Sequence, residues 1–75
     1  MPAIRTRYLP ATQTRGARIK AQRDGYPSLT LSFDHALDSE DNHKAAALKL
    51  MRRTGINTVG VVGGAFESDW YWVAA

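Results

Sequence analysis

A chain of 75 residues makes one small domain, and without cysteine it can neither brace that domain with disulfides nor hold a metal ion through thiolates. A composition of 44% hydrophobic and 23% charged residues is that of a folded globular protein and argues against a disordered tail. No apolar run approaches the ~20 residues that cross a bilayer, and the N-terminus lacks a signal-peptide core, so we expect a cytoplasmic protein. The net charge is only +3, but residues 1–23 carry six cations and no acid, whereas residues 24–43 carry five acids and no lysine or arginine.

Three segments in the first half of the chain alternate between apolar and polar residues, which predicts β-strands. They are IRTRYL at 4–9, ARIKAQ at 17–22 and SLTLSF at 28–33. The last two are separated by RDGYP, and its Asp24-Gly25 pair is a strong signal for a hairpin turn, because glycine supplies the positive φ of a tight reversal.

The segment at 38–55 predicts the only helix. Asp38 or Ser39 is placed as the N-cap and Gly55 as the C-terminal stop. Positions 43, 46, 47, 50 and 51 fall on one face at helical spacing, so the helix should lie across a sheet. The charges match the helix dipole, with Glu40 and Asp41 in the first turn and Arg52 and Arg53 in the last.

Two further strands are predicted after the helix. NTVGVV at 57–62 and WYWVA at 70–74 are rich in β-branched and aromatic residues, and GGAFESD between them can reverse the chain. The element order β-β-β-α-β-β predicts a single α+β domain over residues 1–75. In it, a four- or five-stranded antiparallel sheet carries one helix on one face.

Two motifs carry a resemblance. TxTRGxRIKA at 12–21 and DHALxxxxNHxxAA at 34–47 together resemble a group of short uncharacterised proteins from phages, plasmids and other mobile elements of proteobacteria. The likeness spans residues 8 to about 50, with a looser echo in the C-terminal hairpin. It implies an accessory gene product of a mobile element, and it transfers no catalytic role to any residue because that group has no established activity.

Cations of the first two predicted strands should share one sheet surface if those strands pair, because strand side chains alternate between faces. Such a surface suits a phosphate backbone, which releases counterions as it is neutralised. In a competing interpretation these cations are simply solvated and pair with Glu67 or Asp69 of the same chain. In a third, the surface binds an acidic protein. The cations in question are Arg5, Arg7, Arg18 and Lys20, flanked by Arg15 and Arg23.

The aromatic content is high for so short a chain. Trp70 and Trp72 share one face of their strand and Tyr71 takes the other, so part of this aromatic surface should be exposed. Exposed aromatic rings beside arginines can stack unpaired bases or anchor a protein interface. The two tryptophans can equally fill a core that holds few other large residues.

Histidines and carboxylates gather in one region and invite a metal or acid–base interpretation. The region has no HxxxH or HExxH spacing to fix a geometry. His43 falls on the apolar stripe of the helix, and Asp38 suits a cap, so a small metal-dependent enzyme is the least favoured of the readings. The residues concerned are Asp34, His35, Asp38, Asp41 and His43.

The function predicted from sequence is a non-enzymatic binding module without a cofactor. Arg5, Arg7, Arg15, Arg18 and Lys20 would contact nucleic-acid phosphates, and Trp70 or Trp72 would stack bases. The alternative is an inhibitor or regulator that binds an acidic host protein through the same face. Edge strands and exposed aromatic residues also allow a homodimer.

Overall fold

The computed structural model describes residues 3–56, 58, 60–67 and 69–74 of the chain. These residues form one antiparallel five-stranded sheet and one helix in the order β-β-β-α-β-β, which confirms the predicted α+β fold. The strand predicted at 57–62 includes positions 57 and 59, which lie outside the described residues, and the observed strand runs over Val61–Phe66. The GGAF segment, which was predicted to help reverse the chain, is therefore part of that strand and pairs with the last strand. The elements are β1 (Ala3–Leu9), β2 (Arg18–Gln22), β3 (Leu29–Ser32), α1 (Ser39–Arg53), β4 (Val61–Phe66) and β5 (Asp69–Ala74).

The first strand of the chain lies at the centre of the sheet. The spatial order is β3-β2-β1-β5-β4, so β1 pairs with β2 on one side and with β5 on the other. Thr6 lies opposite Ala21 in β2 and opposite Trp70 in β5. The predicted turn between β2 and β3 is confirmed by Gly25, whose φ of 82° is in the left-handed region that glycine adopts without strain.

The helix begins and ends as its sequence predicts. The Asp38 carboxylate accepts a hydrogen bond from the backbone N–H of Asp41 at 2.8 Å, which makes it the N-cap. At the other end Gly55 has a φ of 83°, and the chain leaves the helix there. None of the described residues belongs to a helix with the length and apolar character needed to span a membrane.

The loop before the helix is held by the buried side chain of Asn42. Its Oδ1 accepts from the backbone N–H of Asp34 at 2.7 Å, and its Nδ2 donates to the carbonyls of Asp34 and Asp38, each at 2.9 Å. Asp34 Oδ1 in turn accepts from the N–H of Ala36 at 2.9 Å. The aspartate and asparagine of the DHALxxxxNH motif therefore shape this loop, which gives that part of the motif a structural role.

The core lies between α1 and the inner face of the sheet. Ala46 and Ala47 are fully buried, and their small side chains let the helix backbone approach the strands closely. Thr6 and His43 are buried among the apolar residues, where they bond to each other. The buried hydrophobic residues are Ile4, Ile19, Ala21, Leu29, Ala46, Ala47, Leu50, Met51 and Trp72.

Trp72 extends the core toward the edge strand β4. Its indole packs over the backbone of Gly63, its cross-strand partner in β4, so closely that a methyl group at Gly63 would overlap the ring. Trp70 stacks beside it, with 5.5 Å between ring centroids. Glycine at position 63 is therefore required for the close approach of this indole to β4.

Gly63→Ala is expected to destabilise the domain by about 1–3 kcal/mol, because either the Trp72 indole or strand β4 must move to admit the methyl group. Gly64→Ala is the matched control, since a methyl group there meets no atom within 4 Å and should change the free energy of unfolding by less than about 0.5 kcal/mol. Urea unfolding followed by tryptophan fluorescence measures both values. Equal destabilisation by the two substitutions would contradict the packing of Trp72 on Gly63.

Candidate nucleic-acid interface

The face of the sheet turned away from α1 carries the functional candidates, and we call it the open sheet face. Strand alternation sends Ile4 and Thr6 toward the helix and the intervening Arg5 to the other side. The same alternation in the other strands completes this face. Its main side chains are Arg5, Arg7, Arg18, Lys20, Gln22, Thr30, Ser32, Val62, Phe66, Asp69, Tyr71 and Val73.

The open sheet face divides into two parts with different chemistry. The basic half consists of Arg5 and Arg7 on β1 and Arg18 and Lys20 on β2, and the pairing of these strands brings all four residues together as the sequence predicted. The apolar strip lies on β4 and β5 and consists of Val62, Phe66, Tyr71 and Val73. Phe66 is 66% exposed and Tyr71 is 40% exposed, so the strip presents aromatic rings to solvent.

Asp69 lies at the boundary between the two parts and binds the arginines of β1. Its Oδ1 and Oδ2 accept from Nε and Nη2 of Arg7 at 3.1 and 3.2 Å, and its Oδ2 lies 3.8 Å from Nε of Arg5. The hydrogen bond and charge of Arg7 hold the pKa of Asp69 below its usual value, and the same contact raises the pKa of Arg7. The interpretation that pairs these arginines with Asp69 is therefore correct for Arg7 and, at longer range, for Arg5.

Arg18 and Lys20 form no ion pair with a carboxylate among the described residues. Lys20 lies directly opposite Arg7, so two like charges are neighbours across the strands. The Nε of Arg18 is buried and finds no hydrogen-bond partner in the part of the chain that the structure describes. Among the residues that the structure describes, the four cations of the basic half face a single carboxylate, Asp69, so these five side chains together carry a net charge of +3.

Arg15 lies outside the sheet, on the exposed loop between β1 and β2. The loop is closed by a 2.7 Å hydrogen bond from the N–H of Thr12 to the carbonyl of Arg15, and the N–H of Arg15 donates to Thr12 Oγ1 at 3.1 Å. It joins the end of β1 at Leu9 to the start of β2 at Arg18. Arg15 therefore stands at the end of the sheet where Arg18 lies.

Arg23 lies at the edge of the open sheet face, where it lines one cavity with Arg5 and Tyr71, but its guanidinium is already bonded to the end of the helix. Its Nη1 donates to the carbonyl of Thr54 at 3.1 Å, and its guanidinium lies 4.2 Å from the centre of the Tyr26 ring. A cation at this carbonyl interacts favourably with the negative end of the helix dipole. Arg23 thus caps the C-terminus of α1.

The two tryptophans lie on the helix side of the sheet and not on the open face. Trp72 is only 2% exposed and Trp70 is half-buried, so the indole of Trp72 is not available to stack a base. The core interpretation is the correct one for Trp72. Tyr71 between them points to the open sheet face beside Arg5, and it replaces them as the aromatic candidate there. The alternation of side chains along β5 could have identified Tyr71 from the sequence, because it puts Tyr71 on the face of the sheet opposite to that of the two tryptophans.

The histidines that suggested a metal site lie in different surroundings. His43 is buried, and its Nδ1 lies 2.7 Å from Thr6 Oγ1, which also accepts from Trp72 Nε1 at 3.0 Å. His35 is exposed, with its ring 5.1 Å from that of Phe33. Among the described residues no group of three or more histidines or carboxylates is placed to hold a metal ion.

Burial lowers the pKa of His43, although the nearby charge of Asp69 acts in the opposite direction. In the neutral tautomer with its proton on Nε2, Nδ1 accepts from the Thr6 hydroxyl, whose oxygen accepts from the Trp72 indole. The two lone pairs of that oxygen can also accept from a protonated Nδ1 and the indole together, with the hydroxyl then donating to the carbonyl of Trp70 at 3.5 Å. Burial, and not this hydrogen bond, is therefore what favours the neutral form of His43.

Searches of protein-family models, of curated proteins and of solved structures found nothing that matches this chain. The functional assignment therefore depends on the geometry and charge of the open sheet face.

The stability of the domain is expected to fall as the pH drops below about 6.5, the usual pKa of histidine. Above that value His43 is neutral in both states. Below it the unfolded chain binds a proton that the folded chain excludes, so the free energy of unfolding decreases by at most about 1.4 kcal/mol per pH unit. Urea unfolding between about pH 7.5 and 5.5 measures this slope.

The control variants for this pH dependence are the two single histidine substitutions. His35→Gln alters the exposed histidine and should keep the slope, whereas His43→Gln should flatten it while lowering stability at every pH. A wild-type slope of zero, or a slope removed by His35→Gln alone, would show that His43 is not the titrating group.

Proposed function

We propose that the protein binds single-stranded nucleic acid along the open sheet face. Lys20, Arg18 and Arg7 contact the phosphates, Arg15 adds a contact from its loop, and Tyr71 stacks an unpaired base. The observation that carries this proposal is one surface with four cations, one carboxylate and a 40% exposed tyrosine beside them. The resemblance of the two sequence motifs to mobile-element proteins implies that this module is an accessory gene product of such an element.

The shape of the surface favours a single strand over a duplex. Five strands spaced ~4.8 Å apart span about 19 Å, which is wider than the ~12 Å major groove of B-form DNA. A sheet face of this width cannot enter that groove, and a stacking tyrosine needs a base that is free of its partner strand. An extended single strand can lie across the strands and satisfy both conditions.

Asp69 prepares the basic half for phosphate binding. Because it holds Nε and Nη2 of Arg7, that side chain has a fixed direction, and its Nη1 is left without a bond to the carboxylate. Fixing the side chain in advance lowers the entropy that binding would otherwise cost. Lys20 supplies a second cation directly opposite, so a phosphate between the two relieves their repulsion.

A second candidate is a regulator that binds an acidic host protein through the same face. The exposed apolar strip favours it, since Phe66 and Val62 are large and solvent-facing, and strand β5 alone separates them from the basic half. This candidate predicts that an acidic protein from nuclease-treated host lysate is retained by the wild-type chain and lost from Phe66→Ser. Sedimentation of the free chain tests the homodimer that the edge strand β4 would allow.

The proposal predicts that the double variant Arg18→Gln/Lys20→Gln loses about tenfold in affinity for a fluorescent oligothymidylate near 0.1 M salt. The plot of log K against log salt has a negative slope, and each lost phosphate contact should make that slope less negative by about 0.7, or by about 1.4 for both contacts. Fluorescence anisotropy titrations at several salt concentrations measure the affinity and the slope.

Lys44→Gln/Lys49→Gln is the matched control, because it removes the same charge from exposed positions of α1 on the other side of the sheet. It should keep the affinity within about twofold and leave the slope nearly unchanged. Equal effects of the two double variants would mean that net charge alone attracts the strand. Absence of binding at low salt would reject the nucleic-acid function and leave the second candidate.

A further inference from the structure

The open sheet face ends in a cavity of about 450 Å³ where the β2–β3 turn meets the start of β1. This volume is in the range of small-molecule sites. Two exposed aromatic rings line it, together with several groups that can form hydrogen bonds. The lining residues that matter here are Arg5, Gln22, Asp24, Tyr26, Ser28 and Tyr71.

The hydrogen-bonding character of this cavity is set by a contact between Arg5 and Gln22. Nη2 of Arg5 donates to Oε1 of Gln22, its cross-strand neighbour, so the amide oxygen of Gln22 is already engaged. The free groups at these two side chains are the Nε2 amino group of Gln22, the other N–H groups of Arg5 and the second lone pair of the Gln22 oxygen, so donors predominate. A ligand that meets this pair is therefore expected to present mainly acceptors.

A base with two adjacent acceptors on one edge fits this pair of donors. Guanine has N7 and O6 side by side, whereas adenine has N7 beside the N6 amino donor, which would meet another donor. Guanine also carries donors on its opposite edge, and the carboxylate of Asp24 at the cavity lining is an acceptor for them. A purine also offers a large ring surface for stacking on tyrosine.

We propose that this cavity binds one unpaired guanine of the single strand. Arg5 and Gln22 donate to its N7 and O6, and Tyr71 stacks on the ring. The inference rests on the proposed function, because the phosphates of the strand bind the basic half that adjoins the cavity through Arg5. It adds base selectivity to a surface whose phosphate contacts carry none.

The test uses a short oligothymidylate whose central position holds guanine, 7-deazaguanine, adenine or an abasic site, titrated against the wild-type protein by fluorescence anisotropy. The guanine oligonucleotide is expected to bind about tenfold more tightly than the abasic one. Adenine, and 7-deazaguanine with N7 removed, should lose most of that advantage. No protein variant is needed for this comparison, so misfolding cannot obscure it.

Gln22→Met keeps the length of the side chain but removes its donor, and it should bind the guanine and adenine oligonucleotides equally. Gln13→Met makes the same change at the other glutamine, on the exposed loop between β1 and β2, and should keep the preference for guanine. Circular dichroism confirms that both variants are folded.

The outcomes separate the two proposals. If all four oligonucleotides bind with the same salt-dependent affinity, or if adenine is preferred, the guanine cavity is refuted while the phosphate-binding face stands. If no oligonucleotide binds at low salt, the proposed function fails and the cavity inference fails with it. A guanine preference that survives Gln22→Met would also overturn the assignment of the donors.

Discussion

One buried hydrogen-bonded network joins the only described helix to the centre of the sheet, and the rest of the structure depends on it. The Thr6 hydroxyl on the central strand β1 links His43 of α1 to the indole of Trp72 in β5. Loss of a partner in such a network leaves a buried polar group unsatisfied, which costs about 1–3 kcal/mol. That amount is a large fraction of the stability of a small domain. The network lies with the buried hydrophobic residues on the face of the sheet that α1 covers, and the basic face on the other side stays open to a ligand.

Asp69 is the second organising element, and it acts on the open side of the same strands. It is buried between the apolar strip and the basic half, where it fixes Arg7 and attracts Arg5. One carboxylate cannot neutralise four cations, so Arg18 and Lys20 keep their charge available for a partner. Ion pairs within the chain and cations free for a ligand therefore coexist on this face. The ion pairs limit the motion of the arginines that the ligand would contact.

Local signals predicted the elements, because their causes lie within a few residues of chain. Alternation in 4–9, the Asp24-Gly25 turn and the caps of α1 are of this kind. Non-local pairing could not be predicted in the same way. The position of β1 between β2 and β5 decides that Asp69 meets Arg7, and the route of the chain past α1 decides that Arg23 meets the end of the helix. Tyr71 was predictable as a surface residue from alternation, but its place beside Arg5 follows only from the register of β1 and β5.

The most direct test of the central claim, that the open sheet face is the binding surface, is a nuclear magnetic resonance titration of isotope-labelled protein with oligothymidylate. Binding at the open sheet face should give the largest changes at the Arg Nε–H signals of the basic half and at the ring of Tyr71, with small changes at the indole N–H of Trp72 and along the exposed face of α1. Changes concentrated on the helix, or spread evenly over all lysines and arginines, would contradict it.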